Sequence, residues 1–372
     1  MSNFKDRIEA QSFIKDLTGK TKFIISRNSS KIGLSRQTYQ NKMDNLRNQK
    51  IITNFTININ PNISPNNLKY VMLEIKTNPK EPELVEELLK IHQLQMLDGI
   101  FGEFSLFALF IFKSSKEYYQ ILNTIDNVMA KSYFKKYQII ETIKVFKING
   151  ISLRNLNKTY EEELVDQSNY RLKRNKVDNL DSDYKIENAE VKLREKIDLN
   201  QISRNHLKSI NLNLKIDNID YEILQILRDR QGDKPISTYE IKKIFKKQLN
   251  NEISQSTIYN RIKKLEQQGI ILNYTVNFSP KELGFKGKYI LRIKPKDPSK
   301  YNDLAFKLEN NINITDLFRI GEQYGLLAIV RVRKIEDYGN FIRNLYLTEE
   351  IEDSFTHFVL DELKTYTNFL IF

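Results

Sequence analysis

Between Ile253 and Gly269 the chain reads ISQSTIYNRIKKLEQQG, and its polar residues are of types that can read DNA. At helical spacing Ile258, Ile262 and Leu265 share one apolar face, which leaves Gln255, Ser256, Thr257, Tyr259 and Asn260 on the exposed side. Amide, hydroxyl and phenol groups in the first turns of a helix can reach base edges in a major groove. Arg261, Lys263 and Lys264 follow, where cations would meet the flanking phosphates. Ser254 has the position of an N-cap and Gly269 that of a stop signal. Patterning alone is also compatible with a small helical bundle that binds nothing; the chemistry of the exposed face tilts the reading towards DNA.

The same unit is written a second time. Leu34–Pro61, LSRQTYQNKMDNLRNQKIITNFTININP, overlies Ile253–Pro280 without a gap at an offset of 219. Identical pairs include Ser35/Ser254, Thr38/Thr257, Asn41/Asn260, Leu46/Leu265, Asn54/Asn273, Thr56/Thr275 and Asn58/Asn277. The first copy offers Ser35 as N-cap, with Arg36, Gln37, Gln40 and Lys42 on the exposed side. Lys50 stands where the second copy has Gly269, and the helix expected near Phe23–Ile32 is poorly patterned. The first reading head is therefore expected to be the degenerate one, although it is the more basic.

The elements that would position these helices can be traced outwards. Ile223, Leu224 and Leu227 have helical spacing behind Asp220, taken as N-cap, and Ser237-Thr-Tyr-Glu240 has the form of a capping box. Ile271–Phe278 alternates as a strand does. Beyond it the expected order is strand Tyr289–Ile293, helix Tyr301–Leu308, strands Ile314–Ile320 and Leu326–Val332, helix Ile335–Leu345 and strand Phe355–Leu360. The first copy repeats that order at Tyr70–Ile75, Glu83–Ile91, Leu94–Ile100, Phe104–Phe112, Glu117–Met129 and Tyr137–Phe146. The order β-α-β-β-α-β is that of a ferredoxin-like sandwich. The fold class is thus α+β: two copies of a winged-type helix-turn-helix followed by a ferredoxin-like βαββαβ sandwich. The expected domains are 1–61, 62–150, a polar linker over 151–216, 217–280 and 281–372.

Composition narrows the function classes. The 372 residues contain no cysteine, which excludes disulfides and thiolate metal sites and makes a reducing cytoplasm the expected location. No apolar run approaches the length that spans a bilayer, and the N-terminus lacks the core of a signal peptide. The net charge of +12 is concentrated in residues 1–61, where 11 lysines and arginines face 4 acids. No phosphate-binding loop, nucleophile elbow or metal-ligand spacing is present, so no cofactor and no metal are expected. The stripe Phe101, Phe104, Phe107, Phe110 and Phe112 reads as core and sheet interface, and of the three histidines His357 reads as a structural residue in a strand.

A helix-turn-helix ending in RIKKLEQQGII, then a strand and a ferredoxin-like sandwich with a Gly-Glu turn, resembles the Lrp/AsnC (feast/famine) transcription regulators. The resemblance covers both halves. It implies a third helix reading the major groove of double-stranded DNA, and sandwich (RAM) domains that pair face to face. Here that pairing becomes an intramolecular pseudo-dimer, or a homo-oligomer joined through the sandwich domains. It also implies a small effector between sandwiches, at the turns that supply Gly102, Ser105, Gly321, Tyr324 and Gly325 here. The family pattern G-x-x-D is not kept: Ser105 stands at the acid's position, and Gly321-Glu-Gln-Tyr-Gly325 has no acid there or beside it. Two other readings stay open at this point. One is an architectural or interaction protein without sequence preference. The other is an enzyme similar to the siroheme decarboxylases, which are also fused pairs; catalysis is not expected, because the histidines are unclustered in the sequence.

Overall fold

The computed structural model describes residues 33–63, 68–78, 82–154, 216–249 and 251–371, and before residue 33 Ala10, Phe13–Lys15, Leu17 and Ser29. Apart from Ser29, the expected helix near Phe23–Ile32 lies outside the described residues, as does most of the expected linker. In chain order the elements are α1 (Arg36–Asn48), β1 (Ile52–Ile59), β2 (Lys69–Lys76), α2 (Pro82–Leu89), β3 (Leu94–Ile100), β4 (Leu106–Phe112), α3 (Ser115–Ala130), β5 (Lys136–Ile148) and β6 (Ile151–Ser152). They continue with α4 (Asn218–Asp229), α5 (Thr238–Gln248), α6 (Gln255–Gln267), β7 (Ile271–Phe278), β8 (Gly287–Pro295), α7 (Tyr301–Leu308), β9 (Ile314–Ile320), β10 (Leu326–Val332), α8 (Ile335–Tyr346) and β11 (Ile351–Glu362).

Each half builds a four-stranded antiparallel sheet, β5-β2-β4-β3 in the first and β11-β8-β10-β9 in the second. Alternation along each strand sorts the side chains. Val71, Leu73, Leu97, Ala108 and Phe110 pack under α2 and α3, and Leu291, Ile293, Leu317 and Ala328 under α7 and α8. The opposite faces, with Met72, Phe107, Leu109, Ile290, Phe318, Leu327 and Ile329, meet one another.

The edges of the two sheets are also joined. β11 pairs with β8 through residues 351–358 and then with β3 through 359–362; β5 pairs with β2 through 136–141 and then with β9 through 142–147. The last strand of each half thus crosses into the other, and eight strands close into a ring that leaves no edge between the halves. Face-to-face packing was implied by the family resemblance; the closure of the edges was not expected.

A separate two-stranded ribbon of β1 and β7 spans the two heads. Thr56 pairs with Thr275, its own counterpart in the repeat, so an internal two-fold axis passes between them. Flanking them are Asn58 with Asn273, joined by a 2.8 Å side-chain hydrogen bond, and Asn54 with Asn277, at 3.2 Å. On such an axis each residue meets the counterpart of a near neighbour, which requires the same chemistry in both copies. Asn54, Thr56 and Asn58 are accordingly repeated as Asn273, Thr275 and Asn277, although Thr53 corresponds to Leu272 and the helices before the ribbon differ.

The heads exchange supports across the ribbon. Ile223, Phe245, Ile258 and Leu265 of the second head pack in one cluster with Ile57 and Ile59 of β1. The first head's Tyr39, Met43, Leu46 and Phe55 pack with Val276 and Phe278 of β7 and with Phe369. At the ends of α6 and α1, Gly269 (φ +66°) and Lys50 (φ +55°) both take the left-handed conformation. A lysine pays for its Cβ there, so Lys50→Gly should raise stability by about 0.5–1 kcal/mol in urea unfolding. No gain would mean that the turn relaxes to another conformation.

Candidate nucleic-acid interface

Helix α6 is built as its sequence suggests. Ser254 is its N-cap, with the Thr257 N–H donating to Ser254 Oγ at 3.0 Å. Ile258, Ile262 and Leu265 are buried, and no acidic residue lies in the first turn. Gln255, Ser256, Thr257, Tyr259, Asn260, Lys263 and Lys264 are exposed. Ser256 and Thr257 share hydroxyl contacts with Ser254, and Gln255 Nε2 donates to Thr238 Oγ1 at 2.9 Å, which ties α6 to the start of α5. Tyr259, at 53% exposure, is the largest exposed apolar side chain on this face.

Arg261 departs from the expected pattern. Its Nη1 lies 2.7 Å from both Asp217 Oδ2 and Asp220 Oδ1, so it is turned onto the start of α4 and not towards phosphates. Those two acids form the capping box of α4, with Asp217 as N-cap and Asp220 at the third helical position, a correction to the expected Asp220 cap. Burial works against the Asp217 carboxylate, but the Asp220 backbone N–H and the Arg261 guanidinium outweigh it and hold its pKa below the usual range.

Helix α1 keeps the architecture and not the chemistry. Ser35 caps it, accepting from the Thr38 N–H at 3.1 Å, and Arg36 and Gln37 are exposed. Gln40 donates to Asp44 at 3.1 Å, and Lys42 is half-buried. Where α6 carries Lys263 and Lys264, α1 carries Asp44 and Asn45. Its Arg47 reaches the Asp233 carbonyl of the second head and Asp44. A cavity of about 460 Å³ lies at this junction, lined by Gln40, Met43, Phe55, Pro235, Ile236 and Tyr259. The segment 233–238 therefore sits between α1 and α6.

The turn residues singled out as effector contacts lie at the far end of the ring, and the chain's own side chains occupy them. Ser105 Oγ accepts from the Thr77 N–H at 2.8 Å. Gly102 lies against the His357 ring, and Arg319 stacks on Tyr301 at 3.5 Å beside Gly325. Tyr324 donates to Asp353 at 3.2 Å. Beneath these turns lies a buried group that the sequence did not reveal: Glu74 Oε1 is 2.7 Å from Arg292 Nη2 and 3.0 Å from His357 Nε2, and Arg292 Nε is 2.8 Å from Glu322. Burial would raise Glu74, but hydrogen bonds from His357 and Arg292 outweigh it and hold the carboxyl below its ordinary value. Of the phenylalanine stripe, Phe104, Phe107, Phe110 and Phe112 are buried as expected, whereas Phe101 is 75% exposed where the chain turns out of β3.

At the end of the ring nearer the heads a second polar group lines a cavity of about 700 Å³. Arg331 forks onto Glu362 at 2.8 and 2.6 Å, and Lys288 bridges Asp98 at 2.7 Å and Glu362 at 3.4 Å. Among the described residues there is no cluster of three or more metal-ligating side chains, and no helix is long and apolar enough to cross a membrane.

Comparison with known proteins bears on this geometry. Residues 289–369 match the Lrp/AsnC ligand binding domain. An uncharacterised HTH-type transcriptional regulator of Pyrococcus furiosus is 30% identical over 151 residues, 41% of this chain and 95% of its own length. The chain belongs to the Lrp/AsnC family. The regulatory protein AsnC of Escherichia coli is similar too, 30% identical over 149 residues, which span 40% of this chain and 92% of AsnC. The first of these relatives is a transcriptional regulator of the helix-turn-helix type and the second a regulatory protein, and this chain, as a member of their family, is a transcription regulator. The chain is also similar to the siroheme decarboxylase NirDL, with a TM-score of 0.54 over 96% of this chain and 92% of NirDL. At 8% identity that likeness shows the fold alone. This Lrp/AsnC member therefore carries two βαββαβ units in one chain, while the family members it matches are about the length of one head and one sandwich.

Proposed function

We propose that this regulator reads double-stranded DNA through α6, with Gln255, Ser256, Tyr259 and Asn260 towards base edges in the major groove and Lys263 and Lys264 on the flanking phosphates. The outward face of α6 carries the reading: every exposed group in its first two turns is a neutral hydrogen-bonding side chain, and cations follow. Lys242 and Lys247 on α5 extend the basic surface alongside it. Arg261 has no direct part in this reading, since it is committed to Asp217 and Asp220.

The first head contributes differently. Among exposed helical positions the two reading helices share Thr38/Thr257 and Asn41/Asn260, but they differ at Arg36/Gln255, Gln37/Ser256 and Asp44/Lys263. A palindromic site would present the same bases to both helices and satisfy only one, so the preferred site is asymmetric. The ring of sandwiches serves as an internal dimer platform. The filled turns at its far end give no support to an amino-acid effector there.

Fluorescence anisotropy with the protein's own promoter DNA and with scrambled DNA, over a range of salt, tests this. Gln255→Ala should relax the preference between the two. Lys263→Ala with Lys264→Ala should weaken both equally and lower the salt slope by about 2. If Gln255→Ala changes neither affinity nor preference, α6 is not the reader. Equal, strongly salt-dependent binding to both DNAs would instead indicate an architectural role.

A further inference from the structure

The internal two-fold symmetry makes residues of the two halves comparable one by one. The pairings Ile75 with Leu106 and Ile293 with Leu326 superpose β2 on β8, so Glu74 and Arg292 are equivalent positions, as are Tyr70 and Lys288. The pairings Gly99 with Leu106 and Arg319 with Leu326 likewise make Asp98 equivalent to Phe318. All six side chains are buried in the ring.

Across the interface these positions do not repeat one another; they complement one another. Glu74 and Arg292 touch at 2.7 Å although they are each other's counterparts, so they straddle the axis with opposite charges. The contact of Lys288 with Asp98, at 2.7 Å, has as its symmetry mate the aromatic contact of Tyr70 with Phe318, whose ring centroids are 5.9 Å apart. One side of the axis is an ion pair and the other an aromatic pair.

We infer that the ring interface is heterotypic by construction: the surface of a first half accepts a second half, in the same chain or in another copy, and rejects its own kind. Two second halves would bring Arg292 against Arg292 and set each Lys288 on a Phe318. Two first halves would bring Glu74 against Glu74 and set each Asp98 on a Tyr70, with no cation for the buried carboxylate. A buried charge left unpaired or facing its like is strongly unfavourable, whereas the paired arrangement is satisfied. The closed ring is thus selective in partner as well as in geometry.

The test uses full chains. Glu74→Arg places arginine at both equivalent positions and Arg292→Glu places glutamate at both, imitating the two homotypic pairings. Each variant alone should raise the unfolded fraction by more than about a hundredfold in urea titrations. Unfolded and refolded together in equal amounts, the two variants can pair across chains, Glu74 of one with Arg292 of the other and the two new residues with each other. Light scattering should then show a species of twice the 44.1 kDa chain mass, with most of the stability recovered. The double variant Glu74→Arg/Arg292→Glu, complementary within one chain, should recover as a monomer and shows that the single variants fail by mismatch. A mixture that behaves as the sum of its components, single variants as stable as the parent, or a double variant no better than either single one would each overturn the inference. DNA binding plays no part in the readout.

Discussion

Replacing Arg331 by methionine should destabilise the protein by about 3–5 kcal/mol at neutral pH. Arg331 is almost wholly buried, and both ends of its guanidinium fork meet the Glu362 carboxylate. Methionine fills similar space and leaves Glu362 with only the more distant Lys288. The pH dependence separates this account from simple loss of packing. Burial alone would raise the Glu362 pKa, but Arg331 and then Lys288 pull it down from 4.5 to about 2. A carboxyl depressed on folding adds stability that is present above its unfolded value and lost as the pH falls through its folded one. The contribution, roughly 3 kcal/mol, should therefore drain away between pH 4.5 and 2 in the parent. Asp98 runs the other way, since burial raises its pKa in spite of Lys288, and it offsets part of that acid limb. The deficit of Arg331→Met measured by urea unfolding should be large at pH 7 and much smaller at pH 3. An equal deficit at both would show that the ion pair is not its source.

Arg261→Ala should lower the stability of the second head by about 2–4 kcal/mol, an effect on folding before it is one on DNA. The substitution strips the partner from Asp220, whose side chain is 3% exposed, and from the capping box that starts α4. Helix α4 packs on β1, so its start also anchors the head to the ribbon. Arg261→Lys, which supplies a charge without the fork, should recover only part of the loss. The discriminating measurement is amide exchange along α4 together with the salt slope of DNA binding. Faster exchange with an unchanged slope is expected; an altered slope with unchanged exchange would return Arg261 to the phosphates.

Legibility in the sequence followed the range of the interactions. Helix α7 and strands β9 and β10 begin and end where apolar periodicity and glycine punctuation place them, because period and turn chemistry are local. The capping boxes were readable as Ser237-x-x-Glu240, but at α4 two aspartates compete and only geometry shows that Asp217 is the cap. What stayed hidden depends on strands brought together across the two-fold axis. His357 looks isolated in the chain and becomes one corner of a buried group with Glu74, Arg292 and Glu322. Arg261 has the sequence position of a phosphate ligand and is claimed by a helix 41 residues earlier. The repeat itself carried one clue that could have been used: residues that meet across the axis keep their chemistry, as Asn54, Thr56 and Asn58 do in Asn273, Thr275 and Asn277.

Closure of the ring within one polypeptide changes how the molecule responds to dilution. A two-chain regulator loses its paired form when its concentration drops below the dimer's dissociation constant, and its occupancy of DNA then rises with the square of concentration. Here β5 and β11 each hold both halves, so pairing is unimolecular and independent of copy number. Site occupancy should therefore climb in simple proportion to the protein present, and a cell holding a few molecules would have every one of them assembled.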